Sequence, residues 1–156
     1  MDVTSTAMTG AEKRAPAAEP LNALVDFYRA FNHRNLELMR LNWARTEEVS
    51  MSNPLGGIKR GWAAIEAAYS KIFNGPAKVY VEFYDYTVHR SAEMFYALGH
   101  ERGYFELNAT RVDLAIRTSR VYRMERGRWH QVHHHGSIDN PDLLRRYQEA
   151  VHGVTS

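Results

Sequence analysis

The sequence predicts an α+β fold: a cone-shaped α+β barrel in which three N-terminal helices pack on a strongly curved, mostly antiparallel sheet. Three observations carry this expectation. Apolar residues recur at helical spacing as far as Phe73, the period changes from 3.6 to 2 at Ala77, and alternating segments then run to Ile138. Helices followed by long antiparallel strands form an α+β order. Long bent strands wrapped around helices leave a hollow interior suited to a ligand.

Residues 20–32 place Leu21, Leu24, Val25, Phe27, Tyr28 and Phe31 on one stripe, with Pro20 in the first helical turn. His33, Arg34 and Asn35 break the pattern. A short second helix is expected over 36–43, with Leu38, Leu41 and Met39 inward, and 47–52 alternates as a short strand. Asn53-Pro54-Leu55-Gly56-Gly57 reads as a turn, because proline presets one dihedral and the paired glycines free two others. Trp62, Ile65, Tyr69, Ile72 and Phe73 form the stripe of a third helix over 62–73, which Asn74-Gly75-Pro76 stops. Long strands are expected over 79–89, 94–106, 108–125 and 128–138. The second and third turn near Leu107-Asn108, and the third and fourth at Arg126-Gly127. A closing helix spans 141–151, capped by Asp139 or Asn140.

At 156 residues, with 44% hydrophobic and 12% aromatic content, the chain suits one domain. That domain is expected over 20–152, preceded by a flexible arm, 1–19, whose Ala, Thr, Ser, Pro and charges show no apolar periodicity. Cysteine is absent, so disulfide and thiol chemistry are excluded. No apolar run approaches the ~20 residues of a membrane span, and the start, Met1-Asp2, lacks an apolar leader. A cytoplasmic protein without membrane contact is the resulting expectation. The net charge is +2, and Arg117, Arg120, Arg123, Arg126 and Arg128 form the densest basic stretch. A nucleic-acid groove wants such a stripe interleaved with exposed aromatics, so no nucleic-acid partner is expected.

The hairpin over 116–137 holds most of the chemically useful residue types. Its run Ile116-Arg117-Thr118-Ser119-Arg120-Val121-Tyr122-Arg123, then Gly127-Arg128-Trp129, then Val132-His133-His134-His135-Gly136-Ser137 resembles the closing hairpin of SnoaL-like domains. These belong to the nuclear-transport-factor-two-like superfamily of α+β cones. The same run is similar to the association domain of the calmodulin-dependent protein kinases. The likeness covers about 21–137 and includes Asn53-Pro54-Leu55-Gly56, Gly61 and Ile65.

The resemblance bears on function through two enzyme branches. In ketosteroid isomerases a general-base Asp stands immediately before a Pro; here that position is Asn53, which takes up no proton near neutral pH. The second acid of that branch falls on Ser119 and its Tyr near Phe27 or Tyr28, which argues against steroid isomerase chemistry. In limonene-epoxide hydrolases an Asp-Arg-Asp trio surrounds a water, and that trio is not intact as a motif. The register of both branches turns Val132, His134 and Gly136 toward the cavity, together with Asp113, Ala115, Arg117, Ser119 and Val121. The other face of that strand, Val112, Leu114, Ile116, Thr118, Arg120, Tyr122 and Met124, is then too apolar to meet water. It is expected to be the outer sheet face and to bury itself in a homodimer.

By strand alternation His133 and His135 share a face and His134 takes the opposite one. Two same-face histidines without a third ligand do not make a metal site, so no metal is expected. His134, Asp113 and Arg117 are the candidate catalytic residues: His134 or Asp113 as base, Arg117 to stabilise negative charge. Asn53, Ser119, Tyr28, Trp43, Trp62, Tyr69, Tyr96 and Val132 are the candidate ligand contacts, with Phe73 a further aromatic in the wall. The expected ligand is a small hydrophobic molecule with a polar group. The expected chemistry is cofactor-independent acid–base catalysis of isomerase, cyclase or hydrolase type. The alternative is a non-catalytic ligand-binding or oligomerisation domain.

Overall fold

The computed structural model describes residues 2–15 and 19–153. Among the described residues, four helices, α1 (Pro20–Asn32), α2 (Leu36–Asn42), α3 (Trp62–Asn74) and α4 (Pro141–His152), accompany a six-stranded sheet. Its strands are β1 (Ser50–Ser52), β2 (Lys59–Arg60), β3 (Lys78–Arg90), β4 (Met94–Leu107), β5 (Thr110–Glu125) and β6 (Arg128–Ser137), in the spatial order β2-β1-β6-β5-β4-β3. Every pairing is antiparallel except β1 with β6. The α+β cone is therefore the observed fold.

Local chemistry explains the boundaries. Asn35 caps α2 by accepting from Leu38 N–H at 3.0 Å. Asn140 caps α4 through Asp142 N–H at 2.9 Å and Leu143 N–H at 3.1 Å, with Pro141 at the first helical position. Arg126 and Gly127 both have positive φ, +53° and +75°, as a two-residue hairpin turn between twisted strands requires. The expected strand over 47–52 is shortened to β1, the strand β2 was not foreseen, and in α2 Met39 is buried while Leu41 is exposed.

The core lies between the concave face of the sheet and α1 and α3. Leu24, Phe27 and Tyr28 of α1 meet Ile65, Tyr69 and Phe73 of α3 and Phe83 of β3. Each large apolar side chain so buried contributes about 1.5–3 kcal/mol.

The facing of β5 is the reverse of the expected one. Val112, Leu114, Ile116, Thr118, Arg120 and Tyr122 are buried on the concave face, while Asp113, Ala115 and Arg117 are exposed and Ser119 and Val121 half-buried on the convex one. The apolar phase on which the homodimer argument rested thus packs against the chain's own helices. Its apolar character is the ordinary mark of an inner sheet face.

In β6 the pairing slips between Val121 and Tyr122, which oppose His133 and Gln131. Val132 is the extra residue of this bulge; it is half-buried against the core and does not line the cavity, whereas Gln131, His134 and Gly136 are buried.

The arm expected to be flexible is docked over its described part. Thr4 and Met8 each exchange two backbone hydrogen bonds with β3, at Tyr86 and Phe83 respectively. Met8 is buried in the core. Arg29 of α1 clasps the carbonyls of Gly10 and Glu12, both at 2.7 Å. The physical reason is that β3 is the edge of the sheet, and its unpaired backbone groups offer a ready partner. Residues 16–18 and Met1 of the expected arm lie outside the described residues.

Candidate functional site

The concave face, α1, α3 and the 53–55 turn border a partly open cavity of about 90 Å³. Phe27 and Phe31 line it from α1, Tyr69 and Ile72 from α3, and Leu114 and Ile116 from β5. Asn53, Pro54 and Leu55 border it beside β1, and Tyr147 reaches it from α4. Four further polar groups meet this apolar lining or lie directly behind it.

Glu101 and Arg120 are the first two. Glu101 occupies the inward phase of β4, where Phe95, Ala97 and Gly99 precede it, and Arg120 occupies the inward phase of β5. Arg120 Nη2 donates to Glu101 Oε2 at 3.1 Å, and both side chains are almost wholly buried. Glu101 also accepts from Tyr28 O–H at 2.8 Å and Thr118 O–H at 2.5 Å. Arg120 donates to Gln131 Oε1 at 2.9 Å, and Gln131 in turn donates to Asn42 at 3.1 Å. The guanidinium carbon lies 3.5 Å from the centre of the Phe27 ring. Burial would lower the Arg120 pKa, but Tyr28 and Glu101 outweigh it and the pKa is raised, so the cation persists. A buried pair survives only when its remaining donors and acceptors find partners, and here each guanidinium nitrogen donates once, Nε to the Tyr28 hydroxyl at 3.3 Å.

His134 and Tyr69 are the other two. His134 pairs with Arg120 across β5–β6 and with Met51 across β1–β6. Its Nδ1 lies 3.3 Å from the Ser119 carbonyl oxygen. Burial, then the Arg120 charge, pushes its pKa well below the usual value. The ring is therefore neutral at neutral pH, and an Nδ1 facing a carbonyl must carry the proton. The lone pair is left on Nε2. A Cβ built on Gly136 would stand 3.3 Å from that nitrogen and 3.2 Å from Pro54 Cδ, so Nε2 lies at the Pro54 side of the cavity. Tyr69 is buried beside Arg120, and burial raises its hydroxyl pKa to about 12.

The structure brings together Asn53, Tyr69 and His134 of the expected site residues. Asn53 is the first residue after β1 and turns its Oδ1 onto Leu55 N–H at 3.0 Å, an Asx turn that shapes the cavity border. Tyr28 lies behind the cavity as a partner of Glu101, and Trp43 and Trp62 pack on each other in the core with centroids 6.4 Å apart. Phe73 packs on Phe31 and Tyr69 in the same core. Asp113, Arg117, Ser119 and Tyr96 stand on the convex face. Asp113 pairs there with Arg111 at 3.0 Å and Arg117 with Asp139 at 2.8 Å, while Tyr96 stacks on His89. His133 bonds Ser50 Oγ at 2.7 Å, and His135 is exposed. Among the described residues there is no cluster of three metal-ligating side chains.

Glu101 and Tyr147 are not among the expected site residues, Gln131 has no expected role there, and Arg120 lies on the face opposite to the expected one. A signal existed: Glu101 and Arg120 interrupt apolar phases of period two, which marks a buried charge that needs a partner.

The family model of the SnoaL-like domain matches residues 21–141. The chain belongs to the SnoaL-like domain family.

No curated protein matches the chain. Among solved structures, a protein from Thiobacillus denitrificans, named for the association domain of calcium/calmodulin-dependent protein kinase type II, is 25% identical. The match covers 81% of this chain and 100% of that one, with a TM-score of 0.64. A protein from Streptomyces avermitilis, named as a dehydratase of the NTF2-like family, is 17% identical over 74% of this chain and 90% of that one, with a TM-score of 0.64. An NTF2-like protein from Rhodospirillum rubrum, described as of unknown function in nutrient uptake, is 14% identical over 78% and 99%, with a TM-score of 0.66. The last two likenesses concern the fold alone. In this SnoaL-like domain the residue before Pro54 is an amide, Asn53, and His134 on β6 borders the same cavity. Among the described residues no helix is long and apolar enough to cross a membrane.

Proposed function

We propose that the cavity binds a small hydrophobic molecule with a polar group and acts on it by general acid–base chemistry, with no metal or organic cofactor. One observation carries this reading: a neutral, tautomer-fixed His134 whose Nε2 lone pair borders an apolar cavity. Such a nitrogen can accept a proton from an acidic C–H or from a water. Its low pKa makes it a weak base in water. In the cavity, the proton it accepts would be stabilised by developing negative charge on the substrate. Asn53 and Tyr147 would hold a substrate oxygen. Isomerisation, cyclisation and dehydration or hydration share this first step, and the reading commits to the step rather than to one of them.

The test is exchange of α-protons of small cyclic ketones for deuterium, followed by NMR in D₂O. The expected result is exchange above buffer for the wild type and buffer rate for His134→Gln. Ketones that bind without any accelerated exchange would sink the catalytic reading and leave a binding domain.

A second reading, association into a homodimer, is favoured by a specific feature. The convex face of β4 exposes Met94, Tyr96 and Leu98 on alternate positions. The 25% identity to a protein named for an association domain points the same way. This reading uses the convex face as it stands in the structure, not the β5 residues first assigned to it. Light scattering tests it: a mass near 36 kDa, twice the 18.0 kDa chain, is expected, and Leu98→Glu with Tyr96→Glu should halve it. A wild-type mass of one chain would overturn it.

A further inference from the structure

The hydrogen-bonding capacity left open around the cavity is more specific than its shape. Glu101 and Arg120 carry opposite charges and are bonded to each other, to Tyr28, Thr118 and Gln131. Their charges cancel and their strongest valences are used. Three groups on the lining have atoms without a hydrogen-bond partner among the described residues. His134 Nε2 is an acceptor on a side chain that is 6% exposed. Asn53 Nδ2 is a donor, since Asn53 Oδ1 is committed to Leu55 N–H. The Tyr147 hydroxyl can donate, and burial followed by the Glu101 charge holds its pKa up at about 12, so it keeps its proton. An acceptor that opens onto the cavity without a protein partner is free to take a hydrogen bond from a ligand donor.

Three consequences follow for a ligand. A carboxylate would find the Arg120 cation already neutralised and would set a second negative charge near Glu101. An ammonium ion would have to approach the Arg120 cation. A neutral group that both donates and accepts meets all three open atoms. Size narrows the class further. A cavity of about 90 Å³ is far below the ~300 Å³ at the lower end of ordinary ligand pockets and nearer the ~150 Å³ that takes up benzene.

We propose that the cavity takes a neutral molecule about one small ring in size, whose hydroxyl donates to His134 Nε2 and accepts from Asn53 or Tyr147, and that it rejects carboxylates and amines of the same size. This rests on the reading of the same cavity given above and names its ligand class.

The experiment uses matched probes on the full chain: cyclopentanol, cyclopentanone, cyclopentanecarboxylate and cyclopentylammonium, with binding read from NMR shifts of the cavity residues at neutral pH. Cyclopentanol should bind at least tenfold more tightly than either ion, and several-fold more tightly than the ketone, which cannot donate. His134→Leu should erase the alcohol's advantage over the ketone while leaving ketone binding intact, which also reports that the variant is folded. Tyr147→Phe, on a different element, should weaken alcohol and ketone alike.

Carboxylate or ammonium binding as tight as the alcohol would overturn the proposal, as would equal binding of alcohol and ketone to the wild type. Preferred alcohol binding without proton exchange on ketones would uphold the ligand class and remove the catalytic reading. Absence of binding by every probe, unchanged when Leu114→Trp fills the cavity, would remove both.

Discussion

Arg120 Nη2 lies 3.1 Å from Glu101 Oε2 in the interior of the cone, with side-chain exposures of 2% and 5%. The pair joins β5 to β4 and ties both to α1 through Tyr28.

Breaking this pair from one side should cost far more than removing it whole. Arg120→Met leaves the Glu101 carboxylate buried with only hydroxyl partners, at a cost of about 3–5 kcal/mol. Glu101→Leu strands the guanidinium at a similar cost. The double variant should recover a large part of either loss, because no charge is left unpaired. Urea unfolding of the three variants checks this, and additive losses would contradict it.

His134 sets a direction for the pH dependence of stability. Its folded pKa lies well below the usual value of 6.5. The unfolded chain therefore takes up a proton at a pH where the folded chain does not. Stability from this group is full above about pH 6.5 and falls as the pH drops toward the folded pKa, with a slope of up to ~1.4 kcal/mol per pH unit. Burial also lowers the pKa of His130 and His133, so they act in the same direction. Unfolding midpoints between pH 8 and 5 should fall with acid, and His134→Gln should flatten the slope most.

Gly103 of β4 packs directly against the backbone of β3. An added Cβ would stand 1.8 Å from the Tyr80 carbonyl oxygen and 2.9 Å from Val81 Cα, which are backbone atoms that cannot step aside alone. Gly103→Ala should lower stability by about 3 kcal/mol. Gly127→Ala meets open space and bears only its φ of +75°, so about 1–2 kcal/mol is expected. Thermal melts of the two variants compare them directly.

The docked arm should protect the edge of β3. Phe83 N–H donates to Met8 O at 2.9 Å and Tyr86 N–H to Thr4 O at 3.1 Å. Met8→Ala removes a buried side chain at a cost of about 2–5 kcal/mol. It should also speed hydrogen exchange at Phe83 and Tyr86 before exchange elsewhere in β3 changes. Uniform acceleration across the sheet would instead mean that the arm is part of the global folding unit.

The elements were legible because their signals are local. The stripe of Leu24, Phe27, Tyr28 and Phe31 needs no partner to be read, nor do the cap at Asn140 and the turn at Arg126-Gly127. The site was legible only in part. His134, Asn53 and Tyr69 reach the cavity, whereas Asp113 and Arg117 face solvent. The register implied by the resemblance runs against the strand's own apolar phase. The phase of Val112, Leu114 and Ile116 already marked the inner face, and with it the burial of Arg120.

Taken alone, the sequence determined the order of helices and strands, the α+β class and the apolar phase of each long strand, because these follow from periodicity and turn chemistry along the chain. Only the tertiary structure decided which phase met the helices, where the bulge at Val132 re-aimed β6, and that Glu101 and Arg120 neutralise each other behind His134. The reason is physical. A one-residue slip exchanges every side chain between the two faces, and a partner for a buried charge is chosen across strands, by contacts between residues 19 positions apart.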